Sequence, residues 1–292
     1  MKDETLLSSN LSGLIPTKIS QEIITGVTKE SFCLINSKRE LMDTYKTTVS
    51  VLADMPGPTW VAEGKKINVV KPTILPVELE AKKLGFIITA SRETLSDTVL
   101  NTFDKLKNSI KDSFATVIDK AIISGDTIED GQVFKNTLIS IANKQPIKRS
   151  TNIIADDISD SLAVIEDKGY SASNILAINS IKNELRKAKT TTGDYLYKDV
   201  NNLFGTPMNY NNQLDKTKGY AIAGDFKNYL LTGIYQDISY DVLREATLDL
   251  NDGKTINLAQ EDLVGIRVTM RVAANILRHD AFSLVSVPEE SA

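Results

Sequence analysis

The sequence predicts a mixed α+β fold, and three observations support this prediction. A polar segment over residues 59–90 has the pattern of a β-hairpin with a turn at its tip. Apolar residues at three- and four-residue steps then predict one long amphipathic helix over residues 98–124. From residue 151 onward, short helical patterns alternate with short apolar strands. With 41% hydrophobic residues in 292, the chain can bury a sizeable core.

The first elements follow a polar N-terminal stretch. Residues 1–13 lack hydrophobic periodicity, which is typical of an arm that is ordered only by contacts made elsewhere. A short amphipathic helix is predicted after Pro16. Residues 44–52 alternate weakly and are rich in β-branched side chains, which predicts a strand, and the prolines of residues 55–58 mark a break after it.

The hairpin that follows has a charged tip at residues 63–66. We expect it to lack a hydrophobic face of its own, and an isolated two-stranded ribbon is only marginally stable in water. Pro72 and Pro76 cannot donate ladder hydrogen bonds, so at least one edge should stay unpaired within the subunit. Such an edge favours contact with a neighbouring molecule. The residues predicted to make that contact are Trp60, Glu63, Gly64, Lys65, Lys66 and Lys71.

The long helix is predicted to begin after Asp97, a favourable N-cap, and to end at Gly125. About 27 residues at a rise of 1.5 Å give a rod of roughly 40 Å, long enough to serve as a structural spine. Its predicted apolar stripe comprises Val99, Phe103, Leu106, Ile110, Phe114, Val117, Ile118 and Ala121.

The second half of the chain is predicted to alternate helix and strand. A helix with Asp156 or Asp157 as its N-cap is predicted to end at Gly169. A buried strand at residues 174–179, a helix at 180–188 and a strand at 220–225 are predicted to follow it. Near the C-terminus, apolar and polar side chains alternate, which predicts a strand with one core face and one charged face. The core positions are Ile266, Val268, Met270 and Val272, and the others are Arg267, Thr269 and Arg271.

The composition argues against several classes of protein. A formal net charge of −4, with no dense basic cluster, argues against binding nucleic acid through its phosphates. The sequence shows neither an apolar run of about 18 residues nor a signal-peptide pattern, so we expect no membrane span and synthesis in the cytoplasm. The single cysteine, Cys33, cannot form an intrachain disulfide, and we expect it to be buried.

No sequence motif points to catalysis, to a cofactor or to a metal ion. The single histidine, His279, cannot build a multi-histidine site, and its expected role is structural, in a turn between strands. Glycine-rich phosphate-binding patterns are absent. The carboxylates of Asp156, Asp157 and Asp160 are explained better by the start of a helix than by a cation.

The order of residues resembles the tailed-phage major capsid protein family, which has the Hong Kong 97 fold. That pattern contains a Trp-Val-x-Glu-Gly turn, a Lys-Leu pair near the end of a hairpin and Ser-x-Glu-x-Leu-x-Asp before a spine helix. Leu-x-Gly-x-Pro, Gly-Asp-Phe, Arg-x-x-x-Arg and a final Ala-Phe follow later. The matching positions are Trp60, Val61, Glu63, Gly64, Lys83, Leu84, Ser91, Glu93, Leu95, Asp97, Leu203, Gly205, Pro207, Gly224, Asp225, Phe226, Arg267, Arg271, Ala281 and Phe282.

The resemblance spans the chain from about residue 14 to residue 287, and it implies a fold of five segments. These are an N-terminal arm with a short helix (residues 1–51), an extended β-hairpin or E-loop (52–90), a peripheral domain with the spine helix (91–150), an axial α/β domain (151–263) and the closing strands of the peripheral domain (264–292).

The resemblance also implies a structural rather than an enzymatic role. The subunit is expected to assemble with itself into hexamers and pentamers of an icosahedral shell that encloses double-stranded phage DNA without sequence-specific binding. Because little chain precedes Pro16, the scaffolding role is expected to fall to a separate scaffold protein or to a part of the chain already removed by processing, and a portal is a further expected partner. The virion is the expected location, after synthesis in the host cytoplasm.

Three alternatives stay open at this point. An encapsulin, a cellular compartment of the same fold, is the first, and an enzyme of an unrecognised α/β family is the second. The third concerns chemistry, because some relatives link subunits by an isopeptide bond between a hairpin lysine and an asparagine. Here Lys65, Lys66 or Lys71 could donate and Asn275 could accept, but ion pairs across a subunit border explain these lysines better.

Overall fold

Two β-sheets, of four and six strands, organise the part of the chain that the structure describes. The computed structural model describes residues 31–54, 57, 59–67, 69, 71–91, 109–125, 132–150, 153–197, 199–250 and 253–287. The mixed α+β prediction is confirmed. In chain order the elements are α1 (Phe32–Asn36), β1 (Lys38–Leu41), β2 (Lys46–Asp54), β3 (Thr73–Glu80), β4 (Lys82–Ser91), α2 (109–123), α3 (Leu138–Ala142), β5 (Pro146–Lys148), α4 (Ile154–Glu166), β6 (Asn174–Ala177), α5 (Asn179–Lys187), β7 (Asn202–Leu203), β8 (Thr206–Tyr210), β9 (Ala221–Gly224), α6 (Phe226–Tyr229), β10 (Leu230–Leu243), β11 (Thr247–Asp249), β12 (Thr255–Asn257), β13 (Leu263–Ile276) and β14 (Phe282–Ser286).

The four-stranded sheet has the order β1-β10-β13-β4. Strand β1 runs parallel to β10, whereas β10, β13 and β4 are antiparallel. The alternation predicted for β13 is confirmed, since its four predicted core residues are buried and Arg267 is exposed. One position differs from the prediction: Thr269 is buried, because its hydroxyl lies 2.8 Å from that of Ser239 and its methyl group packs over Gly85.

Helix α2 packs on one face of this sheet, and the rings of Phe86 and Phe114 lie 5.4 Å apart. Ile110 and Phe114 are buried, as the apolar stripe predicts. Val117 is 38% exposed, which corrects its assignment to the stripe, because the i, i+4 row of Ile110, Phe114 and Ile118 forms the core face. The remaining predicted spine residues, Asp97, Phe103 and Leu106, lie outside the described residues, as do the arm and the helix after Pro16.

The six-stranded sheet has the order β5-β14-β9-β6-β8-β7. The predicted strand at residues 174–179 and the helix after it are confirmed as β6 and α5, and the strand at 220–225 is confirmed as β9. Strand β14 pairs with β9 and β5 in this sheet. The predicted division grouped β14 with β13 in one domain, but a turn at His279–Ala281 carries the chain from the first sheet into the second.

Helix α4 packs against β14 and β9 through Ile154, Ile158 and Ile165. Its predicted cap is wrong: the N-cap is Ile153, which makes no side-chain cap hydrogen bond. Asp157 lies in the first turn and accepts a hydrogen bond from the Ser150 amide at 3.2 Å.

The Gly-Asp-Phe segment forms a junction between these elements. The Phe226 ring makes edge-to-face contacts with Phe32 of α1 and Phe282 of β14, with both centroid distances 5.3 Å. Gly224 leaves room for this packing, since a Cβ atom there would lie 2.3 Å from the Phe282 ring. The Asp225 carboxylate caps α6 by accepting from the Asn228 amide. Each residue of this segment therefore has a packing or capping role.

Candidate subunit interface

The clearest candidate for an interface is a two-stranded ribbon formed by β2 and β3. The ladder runs from Lys46 opposite Glu80 to Asp54 opposite Thr73. Among the described strands, β2 and β3 pair only with each other, so both outer edges of the ribbon lack a strand neighbour. This agrees with the prediction of an unpaired edge. The strand predicted at residues 44–52 exists as β2, but it is the first strand of the hairpin and not a separate element.

The base of the ribbon is fixed to the four-stranded sheet. The amide nitrogen of Asn275 donates a 2.7 Å hydrogen bond to the Glu78 carbonyl, and its Oδ1 accepts from Asn136 at 2.9 Å. The sequence assigned residues 82–90 to the hairpin, but they form β4, which pairs with β13. Buried apolar residues complete the anchor: Met42, Leu79, Ala81, Leu231 and Ala273.

Charged groups line the outer side of this base. Lys82 lies 2.6 Å from Glu80, whose carboxylate also accepts the Tyr45 hydroxyl at 2.8 Å. The Lys82 ammonium first, and the Tyr45 hydroxyl second, hold the pKa of Glu80 below its usual value. Lys46 pairs with Glu78 at 2.8 Å on the facing strand. These side chains are about half-exposed, so the pairs orient the ribbon more than they stabilise it.

The tip of the ribbon is open to solvent and partly apolar. Lys65 donates its amide to the Ala62 carbonyl in a turn, where Gly64 takes a φ of 77° that favours glycine. Trp60 is fully exposed, and Ile67 and Val69 are 80% and 91% exposed. The sequence predicts that the charged tip has no hydrophobic face to bury; these three apolar side chains flank it, and none of them is buried within the subunit. Several large apolar side chains exposed in one loop are typical of a segment that binds a partner.

All six residues predicted to make the contact lie at this tip. Each is exposed, and within the described ranges none of the three lysines or Glu63 forms an ion pair. We call the charged and apolar side chains here the basic tip: Trp60, Glu63, Lys65, Lys66, Ile67, Val69 and Lys71.

A second charged surface was not singled out from the sequence. Between residues 244 and 262 the chain has five acidic residues and two basic ones. The β11–β12 pair carries most of this segment, and buried Leu258 anchors it to the sheet. The local excess of carboxylates was the signal that could have revealed it. We call the exposed carboxylates here the acidic end: Glu245, Asp249, Glu261 and Asp262.

Nowhere in the described part of the chain do three or more His, Cys, Asp or Glu side chains gather to hold a metal ion. Asp156 and Asp160 are exposed on α4. The His279 side chain is half-exposed, and its Nε2 lies 3.4 Å from the Asp280 carboxylate in the turn before β14. No helix within the described ranges is long and apolar enough to cross a membrane.

Comparison with known proteins decides the family. The sequence profile of the phage capsid family matches residues 12–287. The chain belongs to the phage capsid family. As a phage capsid protein it is a component of the virion. One curated relative is the major capsid protein of Staphylococcus phage 80alpha, which is 28% identical over 286 residues, covering 96% of this chain and 87% of the relative.

Solved structures show the same fold for this phage capsid protein. A structure titled Microbacterium phage Oxtober96 superposes with a TM-score of 0.73 at 22% identity, covering 88% of this chain and 91% of the other. A structure titled as the capsid of an empty GTA particle computed with C5 symmetry gives a TM-score of 0.67 at 18% identity, with 90% of each chain covered.

Proposed function

We propose that this protein is the major capsid protein of a tailed phage and that it has the Hong Kong 97 fold. It assembles with itself, as hexamers and pentamers, into the icosahedral shell that encloses double-stranded DNA. Family membership over residues 12–287 supports the shell role. The observation that carries the assembly mechanism is the projecting β2–β3 ribbon, whose Trp60 is fully exposed in the single subunit.

The segments of that fold can be assigned to the observed elements. The β2–β3 ribbon with its tip is the E-loop. The four-stranded sheet and α2 belong to the peripheral domain, and α2 is part of its spine helix. Strand β10 therefore moves to the peripheral domain from the axial segment 151–263 that the sequence predicts. The six-stranded sheet with α4 and α5 belongs to the axial domain, which β14 completes. The arm is assigned to the residues before Lys46, because the predicted segment of residues 1–51 includes most of β2, the first strand of the ribbon.

The proposed role is structural and not enzymatic. A separate scaffold protein and a portal are the expected partners in assembly, and the subunit is made in the host cytoplasm before it enters the virion. Packaged DNA is enclosed without sequence-specific binding, and a net charge of −4 suits a wall that should not hold DNA phosphates tightly. The curated relative reported above is the major capsid protein of a phage, which favours a phage shell over an encapsulin compartment.

The proposed contact of the ribbon is non-covalent. Lys65, Lys66 and Lys71 form ion pairs across the subunit border instead of isopeptide bonds. The Asn275 amide, the one candidate acceptor, is engaged at both its nitrogen and its oxygen within the subunit. These hydrogen bonds give Asn275 a structural role at the base of the ribbon.

Shortening the ribbon tests this function. Residues 64–73 are replaced by a short Gly-Ser turn, and the protein is expressed with its neighbouring genes and examined by electron microscopy. We expect a wild-type circular dichroism spectrum and no closed shells, because the tip contributes little to the core. A control with Gly-Ser in place of Lys216-Thr217, in another exposed turn, should assemble normally. Normal shells from the shortened protein would contradict the proposed contact.

A further inference from the structure

A cavity of about 640 Å³, a volume common among small-ligand sites, lies between helix α2 and the β6–β8 part of the six-stranded sheet. Its walls are formed by α1, by one face of α2, by the starts of β6 and α5, and by the end of β8 with the loop that follows it. Two carboxylates and seven carboxamides line these walls, and within the described ranges no Lys, Arg or His side chain does. The nearby Lys182 ammonium lies over the Tyr210 ring, 4.9 Å from its centroid, and not on the cavity wall. The composition of the lining therefore favours a ligand that carries positive charge.

Helix α2 places the two carboxylates on one side of the cavity. Asp112 and Asp119 are seven residues apart, and Ala115 and Thr116 lie between them on the same face, where they also line the cavity. Two helical turns separate the Cα atoms of the two acids by about 10 Å. This separation is too long for two short Asp side chains to hold one metal ion, whose ligands lie within about 2.6 Å of it. The carboxylates therefore mark two cation positions, one at each end of this helix face.

The Asp119 carboxylate is buried without a cationic partner in the described part of the chain. It is 4% exposed, and its three donors are neutral, namely the Ser31 hydroxyl and the amides of Phe32 and Cys33. Its Oδ2 accepts only the Phe32 amide, so this oxygen can accept a second donor. Buried charges are normally paired, because an unpaired charge loses its hydration without compensation. Asp112, by contrast, is exposed and forms no ion pair with any described residue, so both carboxylates are open to a cation.

Carboxamides on the other walls are oriented by their own hydrogen bonds. The Asn209 side chain donates to that of Asn174 at 2.9 Å, which donates in turn to that of Asn36 at 2.9 Å. This direction leaves the Oδ1 atom of Asn209 without a partner among the described residues. The amide nitrogen of Asn179 is likewise engaged by the loop after β8, and Oε1 of Gln213 accepts no described donor. The walls thus present open carbonyl oxygens, which accept hydrogen bonds from an ammonium group.

We propose that the cavity binds a linear polyamine, the class of cation that includes spermidine, with two ammonium groups about 10 Å apart. One ammonium group contacts Asp119 and the other contacts Asp112, while the methylene chain lies against Ala115 and Thr116. An ammonium group has three donors and no acceptor, which matches carboxylates and open carbonyl oxygens.

A bound polyamine would connect the two sheets. Helix α2 packs on the four-stranded sheet through the rings of Phe114 and Phe86, whereas β6 and β8 on the other walls belong to the six-stranded sheet. A ligand that bridges these walls binds the folded protein and not the unfolded chain, so the melting temperature rises with ligand concentration. The cavity shares no lining residue with the ribbon or its tip, so polyamine binding does not depend on the proposed contact between subunits.

The length of the ligand tests the spacing of the two carboxylates. Diaminooctane and spermidine are the long probes, whose extended chains separate the terminal nitrogens by about 11 Å, and diaminopropane is the short probe, which separates them by about 5 Å. Isothermal titration calorimetry and thermal melts are measured on the purified full-length protein at one ionic strength. Diaminooctane and diaminopropane carry the same charge, so a general ionic effect acts equally on both.

Two variants address the site itself. Asp112→Asn removes one carboxylate and keeps the size of the side chain, and Thr116→Lys places an ammonium group of the protein in the cavity. Both positions are exposed, so both variants should fold. The matched controls are Asp160→Asn on α4 and Thr255→Lys on β12, which make the same changes at exposed positions away from the cavity.

We expect diaminooctane and spermidine to bind with one ligand per chain and to raise the melting temperature. Binding of diaminopropane by the wild type, and of diaminooctane by Asp112→Asn, should each be weaker by about tenfold or more, because one contact between ammonium and carboxylate is lost. Thr116→Lys should show no binding, and both controls should bind as the wild type does.

Equal binding of diaminooctane and diaminopropane would overturn the proposal, and so would unchanged binding by Asp112→Asn or Thr116→Lys. Absence of binding by the wild type would contradict it as well. None of these results bears on the proposed shell, because its assembly is examined without added polyamine.

Discussion

The Asp119 carboxylate accepts a 2.6 Å hydrogen bond from the hydroxyl of Ser31, although the two residues lie 88 positions apart. The same carboxylate accepts the amides of Phe32 and Cys33 at 2.9 and 3.0 Å. Helix α1 has no acidic residue in its first turn, so a side chain from α2 satisfies its free amides. This contact fixes the start of the described chain to the helix that supports the first sheet.

The Asp119 contact should make stability depend on pH. Burial raises the pKa of Asp119, although its three donors oppose the shift. A raised folded pKa means that this group favours folding most below its unfolded pKa, near 4, and that the benefit is lost as the pH rises through the folded pKa. Asp119→Asn leaves a buried donor unsatisfied, so it should cost about 1–3 kcal/mol. It should also remove this pH dependence.

The free energy of unfolding in urea, measured for the wild type and Asp119→Asn between about pH 4 and pH 7, checks the predicted pH dependence of stability. The stability advantage of the wild type should grow as the pH falls within that window. Asp112→Asn, which changes an exposed carboxylate on the same helix, should match the wild type. Equal stability of Asp119→Asn and wild type at every pH would show that the three hydrogen bonds contribute nothing.

Cys33 should react with thiol reagents only when the protein opens. The residue is fully buried, as the sequence predicted, and burial raises the pKa of its thiol well above the ordinary value. Because the thiolate is the reactive form, labelling of the native protein should follow the rate of unfolding. Absorbance of released thionitrobenzoate measures the rate. In a Cys33→Ala background, Ile35→Cys should label rapidly, since Ile35 is half-exposed. Fast labelling of native wild type would contradict the packing around α1.

Phe114→Asp should prevent folding. The Phe114 ring is buried against Phe86, so the change removes aromatic packing and buries an unpaired charge, at a cost of roughly 3 kcal/mol or more. Thr116→Asp places the same side chain at an exposed position two residues later and should preserve the melting temperature. Soluble Phe114→Asp protein with native melting would disprove the assignment of the core face. The same failure is predicted for Phe103→Asp, whose site lies outside the described residues.

Gly224→Ala should destabilise the junction of the two sheets. A Cβ atom at this position would lie 2.3 Å from the Phe282 ring, and relief requires displacement of a buried aromatic side chain. Overpacking of this kind costs about 1–3 kcal/mol, which a thermal melt would detect. Gly57→Ala meets no atom within 4 Å and should have no effect on melting. A second change, Phe282→Leu, should recover part of the loss in Gly224→Ala, whereas an unaltered melt of Gly224→Ala would refute the steric explanation.

Local pattern was enough to predict the elements whose side chains alternate between core and solvent. The alternation along β13 predicted its core face, because a strand places successive side chains on opposite faces. Likewise, Ile110 and Phe114 lie on one side of α2 because residues four apart share a helix face. Pro72 and Pro76 indicated a ribbon edge without a partner, since proline has no amide hydrogen to donate.

Pairing between distant segments could not be predicted in this way. Strand β2 resembles any short β-branched strand in sequence, and only its ladder with β3 makes it half of the ribbon. The same holds for β14, which follows β13 closely in sequence yet joins the other sheet. Backbone hydrogen bonds can form between strands of almost any sequence, so composition alone does not select the partner strand.

The sequence by itself therefore determined the α+β class, the family resemblance and the faces of the main elements, because these depend on residues close together in the chain. Only the tertiary structure decided that Asp119 caps α1, that apolar groups stay exposed beside the lysines of the tip, and that the acidic end lies at the far end of the same sheet from the ribbon. These relations join residues tens of positions apart, and their distances depend on how the whole chain packs.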